Sequence, residues 1–241
     1  MKKLLANTFL VSTLALAGCQ TTTAQMSNTQ IEKATGKSYT FTNSSYNRWV
    51  DSCGSKYKRL PNNSFQFVVD KGDVGPCPPD KHPTLEGDAP FSERAEVNTD
   101  NMRLPNGNYV WSATIDIDRP CEPAQRNEIF QIHEGGTKGA PPSQLGIEKK
   151  LATYTNGTFK TNQVNRTPVQ VPNRPFDVVA EITIMSKFLQ VNYYIDGEYF
   201  RTTVAPRERT GKIYIKFGTY RINSNCTIKT TYTNVSLVKV K

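Results

Sequence analysis

Residues 188–204 read FLQVNYYIDGEYFRTTV, and their alternation limits what the chain can fold into. Every second residue from Leu189 to Ile195 is apolar or aromatic, which is the pattern of a strand with one buried face. The alternation resumes after Asp196-Gly197, a pair that is typical of two-residue hairpin turns. This segment therefore predicts an antiparallel hairpin with one apolar face.

The same pattern recurs along most of the chain. Residues 106–118, NGNYVWSATIDID, open on an Asn-Gly pair and then alternate, and residues 212–221 and 228–240 read similarly. No segment has a convincing helical period. Many short alternating segments separated by Gly, Pro and Asn predict an all-β protein, a jelly-roll antiparallel β-sandwich.

The N-terminus is typical of an export signal. Lys2 and Lys3 precede an apolar run over residues 4–17, which is too short to span a membrane with confidence. The run ends in Leu-Ala-Gly-Cys, which resembles the lipobox of bacterial lipoproteins. The resemblance implies that Cys19 becomes the N-terminus and carries lipid; an ordinary cleaved signal is the alternative.

This resemblance predicts how the chain is divided and located. We expect a signal peptide over residues 1–18, a lipidated cysteine and polar tether over 19–37, and one domain over 38–241. Gln20 after the cysteine implies, by resemblance, a lipid anchor in the outer membrane. We therefore expect a monomer of the bacterial cell envelope, held to the membrane through Cys19.

The remaining cysteines suggest disulfides. Cys53, Cys77, Cys121 and Cys226 are even in number in a chain that we expect to be exported. Three pairings are possible, and Cys53–Cys77 with Cys121–Cys226 is our preference. A zinc site is disfavoured, because no two of these cysteines have ligand-like spacing and the chain has only two histidines.

The charge of the chain favours an acidic partner. The formal net charge is +9 at pH 7, and a basic exported protein attracts acidic polysaccharide, anionic lipid or nucleic acid. No Lys/Arg cluster of the kind that binds nucleic acid is present. We therefore expect an acidic polysaccharide and no nucleic acid.

Three stretches carry polar residues that alternate with apolar ones. In FQIHE, Gln131 and His133 share one strand face, opposite Phe130 and Ile132. Two further stretches follow the same rule; their polar faces carry Arg94, Glu96 and Asn98 in SERAEVN, and Tyr214, Lys216, Gly218 and Tyr220 in KIYIKFGTYR. If the three strands are neighbours, these residues form one hydrogen-bonding groove.

The three motifs together, in this order, resemble polysaccharide lyase family 7, the alginate lyases, and more distantly the glucuronan and heparin-type lyases. The motifs are Arg-x-Glu at residue 94, Gln-Ile-His at residue 131, and Tyr-x-Lys-x-Gly-x-Tyr at residue 214. The resemblance implies a jelly roll with a concave substrate-binding sheet. It also implies β-elimination on a uronic acid polymer, without metal or other cofactor.

The resemblance also implies roles. Arg94 and Gln131 would neutralise the uronate carboxylate, and His133 and Tyr220 would supply base and acid, with Tyr220 serving as both if Lys216 favours its phenolate. The substrate-binding set would be Lys216, Asn98, Glu96, Tyr214 and Arg221. The chain departs from the family pattern at Ala95, Asn98, Phe217 and Arg221, so the choice of sugar stays open.

Two other functions fit the same sequence. Residues 116–122, DIDRPCE, loosely resemble the acidic cluster of laminarinase-type glycoside hydrolases, although Pro120 and Cys121 interrupt them before Glu122. A non-catalytic carbohydrate-binding lipoprotein could keep the groove without turnover. The products discriminate, because a lyase gives unsaturated ends that absorb ultraviolet light, a hydrolase gives reducing ends alone, and a binder gives neither.

Overall fold

A computed structural model describes residues 38–39, 57–69, 92–98, 104–118, 127–135, 141–147, 150–155, 158–159, 170–207, 213–222 and 227–240. Their strands are β1 (Ser38–Tyr39), β2 (Tyr57–Leu60), β3 (Ser64–Val69), β4 (Ser92–Asn98), β5 (Gly107–Asp118), β6 (Asn127–Glu134), β7 (Ser143–Ile147), β8 (Leu151–Thr155), β9 (Thr158–Phe159), β10 (Phe176–Ile184), β11 (Phe188–Ile195), β12 (Glu198–Pro206), β13 (Ile213–Ile222) and β14 (Ile228–Val240). None of the described segments is a helix that is long and apolar enough to cross a membrane.

The strands form two antiparallel sheets, which we call the back and front sheets. The back sheet has eight strands in the order β12-β11-β10-β5-β14-β3-β2, with β1 added beside β14. The front sheet has six strands in the order β4-β13-β6-β7-β8-β9. The described residues therefore form an all-β jelly-roll sandwich, as the alternation predicts.

The core lies between the sheets and is rich in aromatic rings. The ring of Trp111 from β5 lies 4.4 Å from that of Phe130 in β6 and 5.8 Å from that of Phe217 in β13, centroid to centroid. All three side chains are fully buried. This packing across the sheets fixes which face of β6 and β13 is turned away from the core.

The predicted hairpin is confirmed. Asp196 and Gly197 have φ angles of 49° and 80°, as a two-residue turn with two left-handed residues requires. The pairing of β10 with β11 and of β11 with β12 is antiparallel, and Leu189, Val191, Tyr193 and Ile195 are buried as their alternation predicts.

Several sequence predictions fall outside the described residues. Cys19, Cys53, Cys77, Cys121 and Cys226 all lie there, as do residues 1–37 with the export signal and the tether. The lipid anchor, the disulfides and the domain boundaries therefore stay predictions.

Candidate active site on the front sheet

The three motif strands are neighbours, and β13 lies between the other two. Lys216 in β13 is in register with Asn98 of β4 on one side and with Gln131 of β6 on the other. Gln131 is in turn in register with Gln144 of β7. One row of polar residues therefore crosses four strands on the face turned away from the core, which we call the site face.

Two further rows flank this one. Tyr214 pairs with His133, and their rings stack with centroids 5.1 Å apart and planes 14° from parallel. On the other side, Tyr220 is in register with Arg94 and with Glu128. Gln131, His133, Tyr214, Lys216 and Tyr220 are thus brought onto one surface.

A bulge separates the rows. Gly218 and Thr219 of β13 face only Ile129 of β6, so the register shifts there, and β6 shifts against β7 at the same point. Gly218 has a φ of 145°, which side-chain-bearing residues rarely adopt. A Cβ at this position would lie 2.7 Å from Cα of Glu96 and closer still to the carbonyl oxygen of Ala95.

Tyr232 of the back sheet holds this bulge from the core side. Its hydroxyl lies 2.7 Å from the carbonyl oxygen of Ile129 and 2.6 Å from that of Gly218. Complete burial raises the pKa of Tyr232 well above its ordinary value, opposed by the hydrogen bond to Gly218 and assisted by the negative charge of Glu96. Tyr232 is therefore a neutral donor that ties β6 and β13 together.

Hydrogen bonds link five side chains of the site face into what we call the front network. The amide nitrogen of Gln131 donates to the carboxylate of Glu96 at 2.7 Å, and Nε2 of His133 lies 2.9 Å from Oε1 of Gln131. The amide nitrogen of Gln144 lies 3.0 Å from the carboxylate of Glu128 and 3.5 Å from Oε1 of Gln131.

The front network is buried although it faces away from the core. Glu96 is 4% exposed and Gln131 3%, and Gln144 and Glu128 are buried as well; only His133 is partly exposed. Gln131 therefore lies on the predicted strand face but is covered by its neighbours. With water largely excluded, the partners of each group are fixed by its neighbours in the protein.

Sequence reasoning missed Glu128 and Gln144. Glu128 is three residues from Gln131, so simple alternation assigns it to the core side; the bulge at Ile129 returns it to the site face. Two carboxylates, Glu96 and Glu128, thus accompany Lys216 on this face. The site face therefore carries acidic as well as basic side chains.

The predicted site residues are not all equally close. The row of Tyr220 crosses β6 at Glu128, five residues from His133. At the usual rise of a strand, the Cα atoms of Glu128 and His133 are about 16 Å apart. The side chains of His133 and Tyr220 can meet one sugar only if both lean toward Gln131, as His133 does. By backbone register, Arg94 and Asn98 lie in the rows of Tyr220 and Lys216, whereas Arg221 lies in the row of Glu93 and Asn127, one residue out of alternation with Tyr220.

The acidic residues that suggest a glycoside hydrolase lie elsewhere. Asp116 and Asp118 belong to β5 of the back sheet and are exposed, and Asp118 is 3.7 Å from the ammonium of Lys229. Glu122 is outside the described residues. Asp116 and Asp118 therefore do not contribute to the site face.

No protein-family model and no curated protein matches this chain. Its fold is similar to that of alginate lyase AlgAT5 from polysaccharide lyase family 7, at 15% identity and a TM-score of 0.54, covering 78% of this chain and 84% of that one. Alginate lyase A1-II′, a member of the same family, matches at 12% identity and 0.52, covering 78% and 85%. The fold is thus the jelly roll that these lyases have.

A third structure has the same fold and contains a ligand. It is a variant of A1-II′ with one histidine replaced by asparagine and one tyrosine by phenylalanine, in complex with the substrate GGMG. It matches at 11% identity and a TM-score of 0.52, covering 78% of this chain and 82% of that one. Identities this low establish the fold alone, so activity must be argued from the site.

Proposed function

We propose that this protein is a polysaccharide lyase that cleaves a uronic-acid-containing anionic polysaccharide by β-elimination. The observation that carries the proposal is the convergence of the three motif strands, which brings the Gln131–His133 pair, Lys216 and Tyr220 onto one face. This combination offers a base, an acid and donors for a carboxylate on a single surface.

The chemistry explains why these groups are needed. A base removes the proton from C5 of the uronate, the electron pair forms the C4–C5 double bond, and the C4–O4 bond breaks as O4 takes a proton from an acid. The C5 proton is barely acidic while the neighbouring carboxylate is charged, so that charge must be neutralised first and the enolate-like oxygen held afterwards.

Each role has a candidate residue. Arg94 neutralises the carboxylate and Gln131 donates a hydrogen bond to it, with Asn98 assisting. Lys216 binds the next acidic group of the polymer. His133 and Tyr220 act as base and acid. The fold neighbours support a uronate substrate, because AlgAT5 and A1-II′ are alginate lyases and a His/Tyr double variant of A1-II′ was captured with its substrate.

The experiment is an ultraviolet assay of unsaturated product on a panel of uronic acid polymers. Tyr220→Phe and His133→Ala should each lower turnover by about a hundredfold to ten-thousandfold, while polymer binding persists. His82→Ala, which removes the other histidine of the chain, is the matched control and should stay near wild type. Near-normal rates for both site variants would reject the lyase mechanism.

A glycoside hydrolase is the second candidate, and one observation favours it. Glu96 and Glu128 are two buried carboxylates on the site face, and hydrolases use a carboxyl pair. New reducing ends without ultraviolet absorbance, lost in Glu128→Gln, would support this function. Binding without any product would instead identify a carbohydrate-binding protein.

We also propose that the enzyme is a lipoprotein of the cell envelope. The Leu-Ala-Gly-Cys sequence that ends at Cys19 supports this. Cys19→Ser should leave the precursor unprocessed or release the protein from the membrane fraction. Unchanged processing and fractionation of that variant would exclude a lipid on Cys19.

A further inference from the structure

The carboxylates of Glu96 and Glu128 determine which atoms of the front network donate and which accept hydrogen bonds. An ionised carboxylate only accepts hydrogen bonds, so the amide nitrogen of Gln131 must face Glu96, as it does at 2.7 Å. The carbonyl oxygen of the same amide then faces Nε2 of His133 at 2.9 Å. Because a carbonyl oxygen only accepts, Nε2 must be the ring atom that carries hydrogen.

The second carboxylate imposes the same direction from the other side. Glu128 accepts from the amide nitrogen of Gln144 at 3.0 Å, and that nitrogen is also 3.5 Å from Oε1 of Gln131. A donor therefore faces the oxygen of Gln131 on this side as well. Turning the Gln131 amide over would set its oxygen against the carboxylate of Glu96 and its nitrogen against the nitrogen of Gln144.

We propose that Glu96 is a positioning residue that sets the tautomer of His133 through the amide of Gln131. The neutral ring then holds hydrogen on Nε2 and its lone pair on Nδ1. Tyr214 stacks on the ring and fixes its plane. This inference rests on the proposed function in one point only, namely that Nδ1 is the atom that takes the C5 proton.

The first test reads the tautomer directly. The chain has two histidines, so the His82→Asn variant labelled with [15N]histidine gives the signals of His133 alone. At a pH where the ring is neutral, nitrogen chemical shifts and their couplings to the ring protons should identify Nε2–H as the dominant form. A dominant Nδ1–H form would overturn the proposal.

The second test removes the shorter of the two constraints on the Gln131 amide and leaves only the 3.5 Å contact with Gln144. Glu96→Gln keeps the shape but can donate as well as accept, so the Gln131 amide can take either orientation. Both tautomers of His133 should then be populated, and turnover should fall about twofold or more, in proportion to the share of Nε2–H that is lost. Glu181→Gln, a glutamate of the back sheet with amide and hydroxyl partners, is the control and should leave the tautomer unchanged.

The two proposals can fail separately. The tautomer is measured without substrate. If His133 carries hydrogen on Nε2 but no polymer gives an ultraviolet-absorbing product, the lyase proposal is rejected and the role of Glu96 stands. If Glu96→Gln still turns over the polymer and His133 keeps the same single tautomer, the lyase proposal stands and the role of Glu96 is rejected.

Discussion

The outer faces of the two sheets carry similar side chains in different surroundings. On the back sheet, Glu181 accepts from Tyr194 at 2.9 Å and from Asn192 at 3.3 Å, and Thr202 donates to Asn192 at 2.7 Å. We call this the back network. It repeats the carboxylate-to-amide links of the front network, but all four of its members are partly exposed.

How strongly one hydrogen bond constrains its neighbours depends on whether water can reach the groups that form it. In the back network, water can replace any partner, so the loss of one bond costs little. In the front network, a polar group that loses its hydrogen-bond partner stays buried without water to replace it, and this desolvation destabilises the fold. Its neighbours then change orientation as well. Similar residue types can therefore make a solvated surface on one sheet and a defined site on the other.

The largest expected effect tests the backbone beneath each network. Gly218→Ala should destabilise the fold by more than about 3 kcal/mol, because it combines a strained φ with a clash against β4. Gly197→Asn in the back-sheet hairpin should cost less than about 1 kcal/mol, because asparagine tolerates its φ of 80°. Urea unfolding measures the stability of both variants, and equal losses would show that Gly218 is no more constrained than Gly197.

Leucine substitutions then compare the two amides directly. Gln131→Leu leaves the buried carboxylate of Glu96 without its 2.7 Å donor and should cost about 2–3 kcal/mol. Asn192→Leu removes a partly exposed amide and should cost less than about 1 kcal/mol. Thermal unfolding of the two variants checks this, and a larger loss in Asn192→Leu would contradict the role of burial.

Two buried tyrosines test how the core supports each part of the site. Tyr232→Phe removes the hydroxyl shared by two carbonyl oxygens at the bulge and should cost about 1–2 kcal/mol. Tyr193→Phe should cost less, because Ser143, its partner at 2.7 Å, keeps a hydrogen bond with Thr203. Unfolding in urea ranks the two, and the reverse ranking would argue against the clamp at Gly218.

Alkaline pH should give a smaller, graded effect. Burial raises the pKa of both Tyr232 and Tyr193 above the usual value of a tyrosine, so the folded state holds these protons more tightly than the unfolded state. Their contribution is intact below about pH 10 and falls by about 1 kcal/mol for each tyrosine within the first unit above it. Stability that is constant across this range would contradict their burial.

The faces of β4, β6 and β13 could be predicted from sequence because the period of a strand is two. Ile213, Ile215 and Phe217 are buried as expected, and Lys216 and Gln131 share the other face. Glu128 could not be predicted, because a bulge changes the period and leaves no local sequence signal.

Gln144 was missed for another reason. It lies between Ser143 and Leu145 in a strand of five buried residues, so alternation of polar and apolar residues is absent there. Its position is known only once β7 is paired with β6. The burial of the front network likewise depends on tertiary structure rather than on any single strand.

The hydroxyl of Tyr232 also bears on how the protein moves. Because it bonds to carbonyl groups of both β6 and β13 while its ring belongs to the core, these two strands cannot separate at the bulge without breaking a hydrogen bond to the opposite sheet. Local opening there should cost about 1–2 kcal/mol more than it would without the hydroxyl. Amide hydrogens beside the bulge should accordingly exchange with solvent about 5 to 30 times more slowly in the wild-type protein than in Tyr232→Phe.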